Sequence, residues 1–318
     1  MSEVIEILES EQAESLARIR DGLLMITPVR RAARYFQNVR LMLLRDRLRT
    51  AHGDEMVERV ADAKFLLDLR QMHDVRMHAD IARYGAYEPE TTHLITRMLQ
   101  PGDTFVDVGA NNGYFAILAG QRVGPEGTVV AVEPNPAAVA RLQRNVQLNH
   151  LEGTVRILPV ALGDTNGEAT LYVSTFEDGW ASLEAFRGSG PPIPVRVSTL
   201  DGALDPQESL FLKVDTEGTE PRVLRGMENL LGCTRNVAMI LEWNHLFGTR
   251  SMWEYIRSRF RVHLILPGPS GSGARLREVH SWDQLRPVFL RNLLLTSGPR
   301  WSVPGTTRSC TPTLPSGE

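Results

Sequence analysis

Apolar residues recur at helical spacing through the first fifty positions, as in Leu16, Ile19 and Leu23 and again in Leu41, Leu44 and Leu48. A period near 3.6 predicts helices over residues 4 to about 50, with Pro28 opening a second one. A further short helix is expected at 54–63, and KFLLDL at 64–69 reads as a strand. Gly85, Tyr87, Glu88 and Pro89 then lead into a helix at 90–99, which Pro101 and Gly102 end.

From Thr104 the pattern changes to short apolar runs alternating with helical stretches. Strands are predicted near 104–108, 128–132, 155–160, 210–214, 237–242, 260–266 and 289–295. Helices are predicted near 112–122, 136–148, 218–231 and 250–258, with a weaker one near 281–286. This alternation implies a mostly parallel sheet with helices on both faces. The last strand follows only a short loop, so it is expected to return antiparallel at an edge. Between 161 and 209 two strand-like runs, 169–174 and 193–198, flank a Gly- and Pro-rich stretch with Trp180 and Phe186. A loop of that length inside a compact domain points to an inserted β-hairpin carrying a lid. The resulting layout is a helical extension over 1–63, an α/β domain over 64–295 and a disordered tail over 296–318, rich in Ser, Thr, Pro and Gly.

Composition narrows the picture. A chain of 318 residues that is 42% hydrophobic can bury a large core. A net charge of −3 argues against a general polyanion binder, so no nucleic-acid partner is expected. The arginines crowding 18–49 read as the solvated faces of helices, with a homodimer contact as an alternative. Two cysteines, Cys233 and Cys310, offer neither a disulfide framework nor zinc spacing. The acidic start lacks the order of a signal peptide, and no apolar run reaches the roughly 20 residues of a membrane span. A cytoplasmic protein is the expectation.

The chemistry concentrates in TFVDVGANNGYF, residues 104–115. A strand running into a glycine turn and a helix start brings backbone amides and the positive helix end against a ligand. Glu133, at the end of the second strand and 20 residues past Gly113, stands where a carboxylate accepts from a ribose diol. A dinucleotide loop would read G-x-G-x-x-G. Here the spacing is Gly109-x-Asn111-x-Gly113, preceded by Asp107, whose charge would repel a pyrophosphate. That sign favours a cationic ligand with an amino group and a sulfonium, S-adenosyl-L-methionine, over NAD. Asp107, Gly109, Ala110, Asn111 and Gly113 are assigned to the methionine half, Glu133 to the ribose, and Asn135 and Ala161 to the adenine.

Further motifs appear in order: GAYEP (85–89), VEPNP (132–136), RLQRNVQLN (141–149), ALGD (161–164), LKVDTEGTE (212–220) and LEWN (241–244). With DVGANNGYF, the chain resembles the FkbM-type methyltransferases over roughly residues 64–266. The resemblance implies a class I methyltransferase fold, a Rossmann-like α/β sheet that is mostly parallel with its last strand antiparallel. It implies S-adenosylmethionine-dependent transfer to hydroxyl oxygens of sugars and natural products. It also implies that Tyr87 and Glu88 close over the methionine moiety.

Asp215 ends the fourth strand of the alternating series and is the candidate for orienting the acceptor hydroxyl or taking its proton. Glu242 and His245, past the fifth strand, are the other catalytic candidates, and Trp180 and Ser182 are candidate acceptor contacts. Asp215 and Glu217 are a weak metal signal, so no metal is expected. Glu220 fits a helix N-terminus. Asn149 is expected as a left-handed cap, and His73 and His78 as ordinary surface residues. The reading is an O-methyltransferase acting on a sugar- or polyketide-like small molecule. The alternatives are an NAD-dependent oxidoreductase with a degenerate loop, or a cofactor-binding scaffold without turnover.

Overall fold

The computed structural model describes residues 28–174, 181–183, 188–244, 248–268, 273–285 and 290–301. His245, Trp180 and Phe186 lie outside them, as do residues 1–27 and 302–318. Helix α1 spans Pro28–His52. The helix expected at 54–63 is instead a strand, β1 (Glu55–Val60), which pairs antiparallel with β2 (Ala63–Asp68). The turn between them places Ala61 at φ 50, and Ala63, Phe65 and Leu67 are fully buried at every second position. That period of two selects a half-buried ribbon over a helix. Helix α2 (Met72–Tyr84), which the periodicity does not announce, and α3 (Pro89–Met98) follow.

The central sheet has eight strands in the order β13-β12-β14-β11-β10-β3-β4-β5. These are β3 (Thr104–Val108), β4 (Thr128–Val132), β5 (Val155–Leu158), β10 (Ser209–Val214), β11 (Asn236–Asn244), β12 (Arg261–Pro267), β13 (Ala274–Glu278) and β14 (Leu290–Ser297). Strands β5, β4, β3, β10 and β11 pair in parallel, whereas β14 is antiparallel to both β11 and β12. The mostly parallel α/β sheet is therefore as expected. Strand β14, however, lies inside the sheet rather than at its edge. Its consecutive Leu293, Leu294 and Leu295 are all fully buried, which only a strand covered on both faces allows. The chain also stays ordered past residue 295: Thr296 pairs with Ala238 and Arg261, and Trp301 is buried against Phe211.

Alternation along the strands divides the core. Phe105 and Phe211 face the side covered by α3 and α4 (Tyr114–Val123), while Val106, Leu210 and Leu212 face the other. Each such fully buried side chain contributes roughly 1.5–3 kcal/mol. On the second face the helix expected at 218–231 is two short ones, α6 (Glu220–Arg225) and α7 (Glu228–Cys233). They break near Gly226, where a Cβ would stand 1.9 Å from the Gly163 carbonyl oxygen. The inserted segment is larger than a hairpin. It is a four-stranded sheet in the order β6-β9-β7-β8, formed by Ala161–Leu162, Gly167–Val173, Ala181–Ser182 and Ile193–Ser198.

The β1–β2 ribbon is docked by helix α5 (Pro136–Leu148). Asn145 Oδ1 accepts from the Leu66 amide at 2.7 Å, and its amide group donates to the Asn112 carbonyl at 2.9 Å. Asn149 Oδ1 accepts from the Lys64 amide at 2.8 Å and its Nδ2 donates to the Lys64 carbonyl. Asn149 has φ −104, so it is a clamp on the ribbon and not the left-handed cap expected. Spaced i, i+4, the two side chains share one helix face and grip alternate residues of β2. Outside this clamp, Arg144 pairs with Glu55 on the surface.

Candidate functional site

Strand β3 lies between β4 and β10, and the chain leaves it first to one side and later to the other. The crevice beyond its carboxyl end is thus the switch point of the sheet, where such folds bind ligands. Gly109, Asn111 and Gly113 adopt φ 84, 48 and 89. The Gly109 and Ala110 amides both donate to the Val132 carbonyl at 3.0 Å. A Cβ at Gly109 would stand 1.9 Å from the Asp215 carbonyl oxygen, and one at Gly113 2.3 Å from Leu142 Cδ1. These glycines are therefore required by the fold itself, because β10 and α5 press against the loop.

Asp107 is fully buried at the end of β3, and neither carboxylate oxygen makes a well-formed hydrogen bond, although the Ala116 amide is close enough to lower its carboxyl. Burial pushes its carboxyl up to about 7, against the opposing pull of Lys213. Glu133 is also buried, but each of its oxygens accepts one amide: Oε2 from Asn111 at 2.9 Å and Oε1 from Asn135 at 2.8 Å. Burial raises its carboxyl and these amides partly offset the rise. Asn135 caps α5, its Oδ1 accepting from the Ala137 amide at 3.1 Å. Ala161 packs against Leu171 and Val195 of the inserted sheet.

Lys213, a residue that sequence reasoning passed over, is 3% exposed. It lies opposite Asp107 in the ladder, and its Nζ is 2.8 Å from Asp215 Oδ2 and 4.8 Å from the centre of the Phe115 ring. Burial pulls its ammonium down, but Asp215, Glu88 and Asp107 together raise it above its ordinary value. The available signal was a single lysine inside the apolar run SLFLKV, since a strand lysine at a core position needs counter-charge.

Glu88 stands at φ 41 before α3, and Asn292 of β14 donates to it at 3.4 Å. Burial raises its carboxyl, with Lys213 opposing. The Tyr87 amide donates to the Tyr114 hydroxyl at 3.0 Å, and His73 meets the Tyr87 ring edge-on at 5.5 Å. His78 sits against Glu58, so neither histidine is an ordinary surface residue. Carboxylate oxygens of Asp215, Glu217 and Glu242 lie within 4.8 Å of one another, and Lys213 already supplies a cation at Asp215. Burial, then Asp215, Glu217 and Glu220, push the Glu242 carboxyl well above its usual range. Glu220 is structural: its buried carboxylate accepts from the Thr216 amide and hydroxyl, both at 2.9 Å, and from the Gly218 amide.

The structure thus gathers Glu88, Asp107, Glu133, Asp215 and Glu242 along one end of the sheet. Asn135 and Ala161 are taken up by a cap and a packing contact. The buried Asp107 carboxylate fits a ligand that carries a positive charge.

Residues 107–263 match the Methyltransferase FkbM domain. "Methyltransferase 1" of Beauveria bassiana is 31% identical over 155 residues, covering 41% of this chain and 60% of that protein. "Hexuronic acid methyltransferase AglP" of Haloferax volcanii is 28% identical over 144 residues, covering 45% of this chain and 58% of that protein. Each alignment therefore spans less than two thirds of the relative's own length. A solved O-methyltransferase from Bacillus cereus aligns with TM-score 0.39 and 14% identity, covering 66% of this chain and 80% of that one.

Proposed function

We propose that this chain, whose residues 107–263 match the Methyltransferase FkbM domain, carries out S-adenosyl-L-methionine-dependent methyl transfer to a hydroxyl of a sugar or polyketide-like acceptor. The observation that carries this reading is the Asp107 carboxylate, fully buried just before the glycine loop and without a well-formed hydrogen bond. Such a group is costly until a donor or a cation reaches it. An ammonium or sulfonium supplies that partner, whereas a pyrophosphate would add charge of the same sign.

Asp107 and the loop Gly109, Ala110, Asn111 and Gly113 would hold the methionine half of the cofactor. Glu133 would hold the ribose hydroxyls, since each of its oxygens keeps a second lone pair beyond the amide it accepts. When bound, the cofactor supplies an electrophilic methyl carbon. The chain's contribution is placement, which can supply about 7–11 kcal/mol in a well-oriented reaction. Lys213 holds Asp215 by Oδ2, so Oδ1 is the atom that takes the acceptor's proton. Proton removal there adds about 10²–10⁴-fold. Glu242, whose carboxyl burial and the neighbouring acids push upward, is a second acceptor contact, and His245 is the alternative base. A sugar acceptor is in line with the substrate in the name of the Haloferax relative. The proposal extends to a cytoplasmic setting and to a homodimer formed through the N-terminal helices. Among the described residues, no helix is long and apolar enough to cross a membrane.

Calorimetric titration of the full chain with S-adenosyl-L-methionine and, in parallel, NADH tests the reading. Asp107→Ala should weaken S-adenosyl-L-methionine binding at least about 100-fold with the fold intact, since a charge-assisted contact and its burial are lost together. Unchanged affinity, or preference for NADH, overturns it. With a turnover assay in hand, Asp215→Asn at the wild-type rate removes Asp215 as the base.

A further inference from the structure

The site contains a charge that the cofactor reading alone does not require. A cationic donor is drawn by acids, so a buried ammonium beside them works against its capture. Lys213 is nevertheless 3% exposed, and its ammonium is held by Asp215 at 2.8 Å over the face of Phe115. Burying an ammonium costs several kcal/mol unless it is paired and packed, so its presence at this position calls for a task.

The geometry of the neighbours indicates the task. Alternation puts Lys213 on the same face of β10 as Asp215, and the ladder sets it opposite Asp107 of β3. Glu88 reaches it from the residue before α3, steadied by Asn292 of β14. Beyond Asp215 stand Glu217 and, from β11, Glu242. Glu133 of β4 completes the set facing Asp107. Six carboxylates, from the start of α3, from β3, β11 and the end of β4, and from the loop after β10, therefore converge on one end of the sheet, and Lys213 donates into this cluster at Asp215.

We propose that Lys213 is a positioning residue of this site: it holds Asp215 by one oxygen so that the other meets the acceptor, and it keeps the surrounding carboxylates, Asp107 above all, charged for the donor cation. The inference rests on the cofactor reading above. Without the ammonium, like charges would face each other across β3, β10 and the start of α3, and the simplest relief is to bind protons. Asp107 titrates near neutrality already, so it is the group that would move first. A protonated Asp107 no longer attracts a cation. Lys213 thus sets the lower edge of the pH range over which the donor binds, while slightly opposing that binding at high pH.

The test is S-adenosyl-L-methionine affinity by calorimetry from pH 6.0 to 8.5 for the full-length wild type, Lys213→Met and Lys213→Arg. Wild-type affinity should fall as pH drops through about 7. In Lys213→Met that fall should move up by about one unit or more, because an opposite charge at this range lowers a carboxyl by about 1–3 units. Binding would then be about tenfold weaker at pH 7 and as tight as wild type, or tighter, at pH 8.5. Lys213→Arg should restore the wild-type profile. If Lys213→Met does not fold, Lys213→Met/Asp215→Asn removes the pair as a unit and should fold, with the pH edge still displaced upward. A pH edge that stays at its wild-type position, or an equal loss of affinity at every pH, shows a merely structural lysine and overturns the inference. A wild type that binds no S-adenosyl-L-methionine at any pH overturns the cofactor reading and this inference with it.

Discussion

The ribbon clamp and the sheet crevice both bury polar side chains completely, and they treat them in opposite ways. At the ribbon clamp, Asn145 and Asp74 are both fully buried and well partnered. Asn145 grips Leu66 and Asn112, while Asp74 accepts from the Asp68 amide and from Asn112 Nδ2, each at 2.8 Å. At the sheet crevice, Asp107 is as deeply buried and lacks a well-formed hydrogen bond, the Ala116 amide acting on it only from outside hydrogen-bond geometry. Burial therefore does not separate architecture from chemistry here. Between these two places satisfaction does: the met carboxylate and amide fix a segment, and the unmet Asp107 carboxylate is the group proposed to receive a ligand.

The comparison can be broken most severely at Gly109. Its Cβ would meet the Asp215 carbonyl oxygen, which cannot move without displacing β10. Gly109→Ala should cost more than about 4 kcal/mol and leave little folded protein by circular dichroism. Survival with a wild-type melting curve would mean the loop is looser than its packing implies. Next comes Asn145→Ala, which strips buried backbone groups of their partners. A loss of about 2–4 kcal/mol in denaturant unfolding is expected, and a loss below 1 kcal/mol would deny the clamp its structural role.

The opposite sign is expected on the other side of the comparison. Asp107→Asn should leave stability unchanged or raise it by about 1–3 kcal/mol at pH 8, while weakening donor binding. The pH dependence follows from the same group. Its carboxyl sits near 7 in the folded chain and at the ordinary carboxylate value when unfolded, so the folded state binds more protons between those limits. The contribution of Asp107 to stability is thus greatest below the unfolded value and is lost as pH rises to about 7. Melting curves from pH 5 to 8 should show that decline in the wild type and a shallower one in Asp107→Asn; equal slopes would sink the assignment. The smallest effect is expected at the exposed Arg144–Glu55 pair beside the clamp, where Arg144→Ala should cost at most about 1 kcal/mol.

Much of this was legible along the chain. The glycine turn after β3, Glu133 at the end of β4 and the acids after β10 are local in sequence, and strand-helix alternation places strand ends together at one side of a sheet. Other features depended on partners far away. The segment 54–63 reads as a helix until β2 is seen beside it, and Asn149 reads as a cap until its amide is seen on Lys64. Lys213 is a lone letter in an apolar run until Asp107, Asp215 and Glu88 are brought around it.

By itself the sequence determined the parallel α/β sheet, the position of the glycine loop and the chemical types gathered at its crevice. Those follow from periodicity and from residues a few positions apart, where the backbone leaves little choice. Only the tertiary structure decided that β14 enters the sheet interior, that the glycines answer to β10 and α5, and which buried polar groups are met. Hydrogen-bond satisfaction and charge balance belong to pairs of residues as much as two hundred positions apart, such as Glu88 and Asn292, and only folding brings such pairs within reach.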